Sequence, residues 1–168
     1  MSQAVLKPKL VTENPDTGLT ADARKQIAEQ LSAILTDTYF LVIKSHVYHW
    51  NVVGPLFRSV HLLTEEHYKD LFSAADVIAE RIRALGFHAP IVDAAGPDKA
   101  VVSLNTTART TREMIADLID DHEAAIRKMR DAAETAEGHD DYVSHDMLVA
   151  RLAFHEKAVW MLRALITE

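Results

Sequence analysis

The chain has 168 residues, of which 48% are apolar and 26% are charged, so it holds enough apolar material for one folded domain and is not a disordered chain. With no Cys and only 5 Gly and 5 Pro, it excludes a disulfide scaffold, a zinc–thiolate site and a turn-rich β-sandwich. The net charge of −7 disfavours nucleic-acid binding. The longest apolar runs have five residues, as in Tyr39–Ile43, which is too short for a membrane span or a signal peptide. We therefore expect a soluble cytoplasmic protein without a membrane partner.

The first 19 residues precede any helical pattern. They contain Pro8, Pro15 and Gly18, and their side-chain charges cancel. We therefore expect a flexible N-terminal tail over 1–19 and a helical domain over 20–168. Thr20 stands where an N-cap residue would begin the first helix.

Apolar residues at helical spacing predict four long helices. The first covers about 21–51, the second about 56–85 and the fourth about 142–166, while the third begins just after Asn105 or Thr106 and runs to about 136. Two connections are short, whereas the connection between the second and third helices has about 20 residues and includes a short predicted helix at 97–104. One long crossover between the middle helices is the ferritin-like arrangement, so the predicted fold class is an all-α, ferritin-like four-helix bundle.

The second helix carries histidine and carboxylate side chains on one face. With His61 at the origin of a helical wheel, Glu65 lies at about 40°, Asp76 at about 60° and Glu80 at about 100°. Imidazole and carboxylate together are ligands for iron, manganese and zinc. The alternative is that these residues form an ordinary solvated face.

The length of this helix decides how a metal site could be built from it. His61 and Asp76 lie roughly 22 Å apart at ~1.5 Å per residue, so one ion cannot touch both within one chain. If the helix packs antiparallel against its copy in a second subunit, His61 faces Asp76 and Glu80 of the partner subunit, and each dimer has two identical sites. His49, near the end of the first helix, could join His61 and Glu65.

The sequence resembles the Dps family, the mini-ferritins known as DNA-binding proteins from starved cells. The resemblance covers about 20–165 and rests on His49-Trp50-Asn51, Gly54-Pro55, Phe57, His61, Glu65, Asp76, Glu80-Arg81 and the segment 155–163. It implies that twelve four-helix subunits form a hollow shell. It also implies that Fe(II) is oxidised between two-fold-related subunits, usually by hydrogen peroxide, and that ferric mineral is stored inside.

On matching positions, the resemblance implies a metal site made of His49, His61 and Glu65 of one chain with Asp76 and Glu80 of its neighbour. Glu65 stands where the family often has Asp, so its longer side chain shifts the ligand geometry. Iron, as Fe(II) and Fe(III), is the expected metal, and zinc is a candidate competitor for the same ligands. The sequence contains no Glu-x-x-His, which disfavours an iron site inside a single bundle.

Several aromatic residues have two interpretations. Trp50 resembles the family's aromatic neighbour of the site, which absorbs stray oxidising equivalents, and the alternative is packing in a subunit interface. His46 is an additional ligand or, as we favour, an interface or surface residue. His122 and His155 lie on apolar helix stripes, so we expect hydrogen-bonded core residues and not metal ligands.

Two acidic residues near the start of the fourth helix also have two interpretations. Asp141 and Asp146 could line a cation-attracting pore in a threefold assembly, which the resemblance supports. The alternative is capping of the fourth helix, which acidic residues favour as well.

The sequence therefore predicts a ferroxidase that takes Fe(II) and hydrogen peroxide as substrates, stores iron in a dodecamer built from two-fold dimers, and protects against oxidative damage. The alternative is a nucleoid-associated protein that protects DNA through its N-terminal tails, in which Lys7 and Lys9 are offset by Glu13 and Asp16. A structural bundle without metal is the third hypothesis.

Overall fold

The four predicted helices are all present. The computed structural model describes residues 12–90, 100–104, 107–108 and 110–167, and within these ranges it contains no β-strand. The helices are α1 (Ala21–Asn51), α2 (Phe57–Ala84), α3 (Thr111–Gly138) and α4 (Tyr142–Ile166). Helix α1 packs on α2, α3 packs on α4, and α1 also packs on α3. The prediction of an all-α bundle with one long crossover is confirmed, and none of the described helices is long and apolar enough to cross a bilayer.

The core forms where the apolar stripes of the helices meet. Each helix contributes residues spaced by three or four positions, which places them on one side of the helix. Burying an aliphatic side chain of this size contributes roughly 1.5–3 kcal/mol. The side chains with almost no exposed surface include Ile27, Leu31, Ile34, Leu41, Leu71, Ile78, Ile115, Leu118, Leu148 and Leu162.

Side-chain caps define where α1 and α3 begin. The Thr20 hydroxyl accepts a hydrogen bond from the Ala23 backbone N–H at 3.2 Å, as predicted for an N-cap. Helix α3 begins later than the sequence predicted because Thr110 and Glu113 form a capping box, in which each side chain accepts a hydrogen bond from the backbone N–H of the other residue. This box satisfies two N–H groups that the helix leaves without a partner.

The turn between α1 and α2 brings the end of one helix beside the start of the next. Gly54 has φ +91°, a conformation that side chains with a Cβ rarely adopt. The Phe57 backbone N–H donates to the Gly54 carbonyl at 3.0 Å, which closes the turn. The chain therefore reverses sharply between His49 and His61.

Buried ion pairs tie α1 to α3 and to the crossover. Lys44 on α1 pairs with Asp117 at 2.7 Å and also with Asp121, both on α3. Asp37 accepts backbone hydrogen bonds from Val101 and Val102 at 2.7 and 2.9 Å, so the end of the crossover is fixed on α1. Residues 100–104 are not helical, and the rest of the short helix predicted at 97–104 lies outside the described residues.

The described part of the predicted tail, residues 12–19, lies against the bundle. The Glu13 backbone N–H donates to the Gly86 carbonyl at 3.1 Å, and the Arg83 guanidinium pairs with the Glu13 carboxylate at 3.2 Å. Arg24 donates to the Asn14 side chain and, at 2.9 Å, to the Leu85 carbonyl. The tail residues Lys7 and Lys9 lie outside the described residues.

Candidate metal centre

Two histidines form a reciprocal pair at the α1–α2 corner. The rings of His49 and His61 stack with centroids 3.7 Å apart. Nδ1 of each ring lies 2.8 Å from the backbone carbonyl oxygen of the other residue. A carbonyl oxygen only accepts, so each Nδ1 carries the proton and each Nε2 keeps its lone pair. This is the arrangement in which a second hydrogen bond orients an imidazole for a metal ion.

Glu65 lies one helical turn after His61, on the same side of α2. Its carboxylate pairs with Lys69, and a hydrogen bond and the charge of Lys69 lower the pKa of Glu65. The electrostatic interactions of Glu65 with His49 and His61 lower this pKa further, to a smaller degree. Two imidazoles and an ionised carboxylate are thus available at one end of α2.

Aromatic rings surround this histidine pair. His46 lies between Trp50 and Tyr68, with ring centroids 4.1 Å and 4.2 Å away. Phe57 stacks on His61 at 5.1 Å. The Trp50 side chain is 63% exposed, so an apolar surface borders the site on the outside of the subunit. This exposure fits the interpretation that Trp50 packs in an interface, and the half-buried His46 is held by stacking.

The carboxylates Asp76 and Glu80 lie far from the histidine pair, as the helix length requires. Both are exposed, and within the described part of the chain neither side chain makes a hydrogen bond or an ion pair. Among the described residues, no three His, Asp or Glu side chains of one chain converge to hold a metal ion. One subunit therefore supplies a histidine half and a carboxylate half that do not meet.

Exposed apolar side chains lie on α1 and α2, the two helices that carry these two halves. They are Ile43, Val47 and Trp50 on α1, and Phe57, Leu62, Phe72 and Val77 on α2. A run of large exposed apolar side chains is typical of a surface that meets another protein.

The two acidic residues of the α3–α4 turn differ in exposure. Asp141 is buried, caps α4 by accepting from the Ser144 backbone N–H at 3.0 Å, and pairs with Arg81 at 2.6 Å. Burial disfavours the charged carboxylate, but the bonds from Arg81 and Ser144 outweigh burial and lower the pKa of Asp141. The capping alternative therefore describes Asp141, whereas Asp146 is exposed and the pore stays a prediction that depends on it.

His122 and His155 are buried and hydrogen-bonded to each other in the bundle core, as their place on apolar stripes predicts. The sequence analysis missed a third core histidine, His67. Its signal was its place on the buried stripe of α2, four residues before Leu71 and seven after Val60.

Comparisons with known proteins agree on one family. The family model of the ferritin-like domain matches residues 28–168. A "DNA protection during starvation protein" of Brevibacillus brevis is 32% identical over 147 residues, which are 84% of this chain and 99% of that protein. A low temperature-induced protein of Nostoc sp. is 38% identical over 156 residues, 89% of this chain and 84% of that protein.

A solved structure from Vibrio cholerae gives the same result at the level of the fold. It is described as a Dps protein, a member of a broad superfamily of ferritin-like diiron-carboxylate proteins. It superposes with a TM-score of 0.84 at 26% identity and covers 95% of this chain and 99% of that one.

Proposed function

This chain belongs to the Dps family of ferritin-like proteins, and from that premise we propose that it is a ferroxidase that oxidises Fe(II) at sites shared between two subunits and stores the ferric product. The observation that carries the proposal is the arrangement of ligands along α2. His61 of α2 and His49 of α1 exchange hydrogen bonds at one end of this helix, and the unpaired carboxylates of Asp76 and Glu80 lie toward its other end, too far away to meet the histidines within one chain.

An antiparallel pairing of α2 with its copy would complete the site. His49, His61 and Glu65 of one chain would then face Asp76 and Glu80 of the partner subunit. Exposed apolar side chains of α1 and α2 that lie in that contact would be buried by it, which favours the association. A two-fold dimer contains two such sites, and we propose that six dimers form the dodecameric shell.

The ligand set suits oxidation of iron. The lone pairs on Nε2 of both histidines are free to bind Fe(II) as substrate, since both Nδ1 atoms carry their protons. Carboxylates prefer the harder Fe(III), so Glu65 with Asp76 and Glu80 of the partner subunit would favour the oxidised product. With peroxide the reaction balances as two Fe(II), one H₂O₂ and two protons giving two Fe(III) and two waters.

DNA binding is the weaker alternative for this chain. The relative from Brevibacillus brevis carries a DNA-protection name, but the net charge of −7 on this chain opposes contact with a polyanion. The tail lysines that would make that contact lie outside the described residues. Cytoplasmic location likewise stays a prediction.

Subunit mixing tests whether the sites are shared. His61→Ala damages the histidine half and Asp76→Ala damages the carboxylate half, so each variant alone should lose fast Fe(II) oxidation. In a random mixture, half of the dimers are mixed, and each mixed dimer has one doubly damaged and one intact site. Mixing the two variants should therefore restore about a quarter of the wild-type sites.

A matched control separates sharing from a general effect of mixing. His49→Ala and His61→Ala both damage the histidine half, so no combination of these two variants produces an intact site. Recovery in the first mixture and none in the second supports shared sites. Equal behaviour of the two mixtures, with mixed dimers detected by native mass spectrometry, contradicts them.

A further inference from the structure

Three histidines from three helices meet in the centre of the bundle, away from the candidate metal centre. His67 on α2 is 3% exposed, and His122 on α3 and His155 on α4 have no exposed surface. The rings of His67 and His122 lie 5.5 Å apart, and those of His122 and His155 lie 4.9 Å apart. Phe154 packs against all three rings.

The hydrogen bond of this cluster requires one neutral ring as acceptor, and burial disfavours a charge on the other ring. Nδ1 of His122 lies 2.9 Å from Nδ1 of His155, so one ring donates a proton and the other accepts it with a lone pair. Within the described residues, both Nε2 atoms and Nδ1 of His67 are buried without a partner. An additional proton on either paired ring would break the imidazole–imidazole bond or leave a buried cation without an acceptor.

The charges around the cluster do not offer a free anion. Asp70 on α2 is bound by Arg151 on α4 at 2.7 Å, and the guanidinium of Arg151 keeps buried N–H groups without a partner. Lys157 on α4 adds a further positive charge that acts on His67. On the side of α1, Lys44 is neutralised by Asp117 and Asp121 of α3.

The geometry of the pair is that of a hydrogen bond and not of a metal site. Zinc–nitrogen bonds of about 2.0–2.1 Å in a tetrahedral site would separate the two nitrogens by roughly 3.3 Å. The observed separation is 2.9 Å, and no third ligand of the described residues converges on the pair. The rings therefore hold one another and are not arranged around an absent ion.

We propose that His122 and His155 form an acid-sensitive lock, in which the bundle is closed only while both rings are neutral and opens by taking up protons. The lock is independent of iron and of the inter-subunit site. Mild acidification would therefore destabilise the folded subunit through histidines in its core.

The pKa values of these groups agree with this assignment. Burial lowers the pKa of His155 to about 3, and it lowers the pKa of His122 well below its ordinary value. The unfolded chain binds these protons at about pH 6.5, so the contribution to stability is complete above that pH and is lost as the pH falls toward 3. Asp121 acts in the opposite direction, because burial raises its pKa to about 6 and the folded chain takes up that proton first.

The test compares unfolding of the intact, metal-free assembly between pH 8 and pH 5. Each imidazole that is neutral when folded and charged when unfolded should raise the unfolding equilibrium constant about tenfold per pH unit below pH 6.5. His155→Gln keeps an amide that can bond His122, and His122→Gln keeps an amide that can bond His155. Each variant should remove about one tenfold step per pH unit, whereas the control His145→Gln, also on α4, should keep the wild-type dependence.

A measurement on the wild type alone covers the case in which a variant does not fold. Exchange of the histidine C2 hydrogen reports imidazole ionisation in the intact protein. We expect the peptides with His122 and His155 to show no transition near pH 6.5 while the assembly is folded. Ordinary transitions near that pH, or an unchanged pH dependence in well-folded His122→Gln and His155→Gln proteins, would overturn the lock.

Zinc-induced stabilisation distinguishes the acid-sensitive lock from a metal site in the bundle core. The lock predicts that zinc at neutral pH stabilises the wild type and the His155→Gln variant equally, since any zinc binds between subunits. A zinc-induced stabilisation that His155→Gln removes and Asp76→Ala retains would show that the cluster holds a metal, and it would also overturn the proposal.

Discussion

Two histidine pairs in the same subunit use Nδ1 in different ways. At the α1–α2 corner, His49 and His61 each donate Nδ1–H to a backbone carbonyl, which leaves the lone pair of each neutral ring on Nε2. In the core, His122 and His155 use Nδ1 to bond each other, and their Nε2 atoms are buried among apolar residues. The identity of the residue is the same, and what differs is the partner of Nδ1 and the access to Nε2.

This contrast shows why counting histidines does not locate a metal site. An imidazole becomes a good ligand when another group holds its proton and its second nitrogen faces open space. It becomes a stability element when both nitrogens are enclosed and its charged form is excluded.

The largest effect is expected from the carboxylate half of the site. Asp76→Ala with Glu80→Ala should reduce fast Fe(II) oxidation by about a hundredfold or more, because two anionic ligands that favour Fe(III) are lost. The fold should be retained, since both side chains are exposed. Anaerobic melts should show Fe(II) stabilising the wild type and not the double variant.

Glu66→Ala is the matched control for this prediction. Glu66 is exposed on α2 and lies at about 140° from His61 on the wheel, outside the arc of about 0–100° that holds the proposed ligands. It should keep wild-type oxidation and the metal-induced shift in melting temperature. If the double variant behaves like Glu66→Ala, the metal centre lies elsewhere.

The two histidine pairs should respond in opposite ways to the same substitution. His61→Gln should lower metal affinity by about tenfold or more and leave stability nearly unchanged. His155→Gln should leave metal affinity unchanged and destabilise the subunit by about 1–3 kcal/mol at pH 8, because a buried hydrogen-bonded ring is replaced. Zinc titration calorimetry and denaturant unfolding measure the two effects separately, and any variant that changes both by similar amounts contradicts the separation.

Much of the fold was predictable because helix periodicity and caps are local signals. The bounds of α1, α2 and α4 agree with the sequence prediction to within one or two residues, since Thr20, Gly54 and Gly86 mark their ends. The start of α3 was misplaced because the Thr110–Glu113 capping box was overlooked, although it is visible in the sequence. His67 was missed for a similar reason, since its place on the buried stripe of α2 was not used.

The geometry of the site could not be predicted in the same way. The residue types and their common face follow from helical spacing. The exchange of hydrogen bonds between His49 and His61 depends on how the α1–α2 turn closes, and the bond between His122 and His155 depends on the packing of α3 on α4. These are tertiary contacts, which no local pattern specifies.

The two acidic residues near the start of α4 differ in burial, because Asp141 is buried and Asp146 is exposed. Asp146→Asn should slow Fe(II) uptake by a few-fold at low ionic strength and leave stability unchanged, because an exposed carboxylate acts on cations through a screened field. Asp141→Asn should instead cost about 1–3 kcal/mol, since it weakens a buried pair with Arg81 and a helix cap. Stopped-flow oxidation at two salt concentrations and melting curves distinguish the two, and an unchanged rate for Asp146→Asn at low salt removes the pore assignment.

The smallest effect is expected at Lys69, which holds the Glu65 carboxylate before any metal arrives. Both side chains are exposed, so Lys69→Met should not change the melting temperature measurably. It should tighten zinc binding by about twofold at low salt, because the metal no longer competes with an ammonium group for Glu65, and the gain should disappear at high salt. Lys25→Met, an exposed lysine of α1, is the control and should change neither quantity. A Lys69→Met protein that binds zinc as the wild type does at low salt would show that Glu65 is not a ligand, and the histidine half of the site would then consist of His49 and His61 alone.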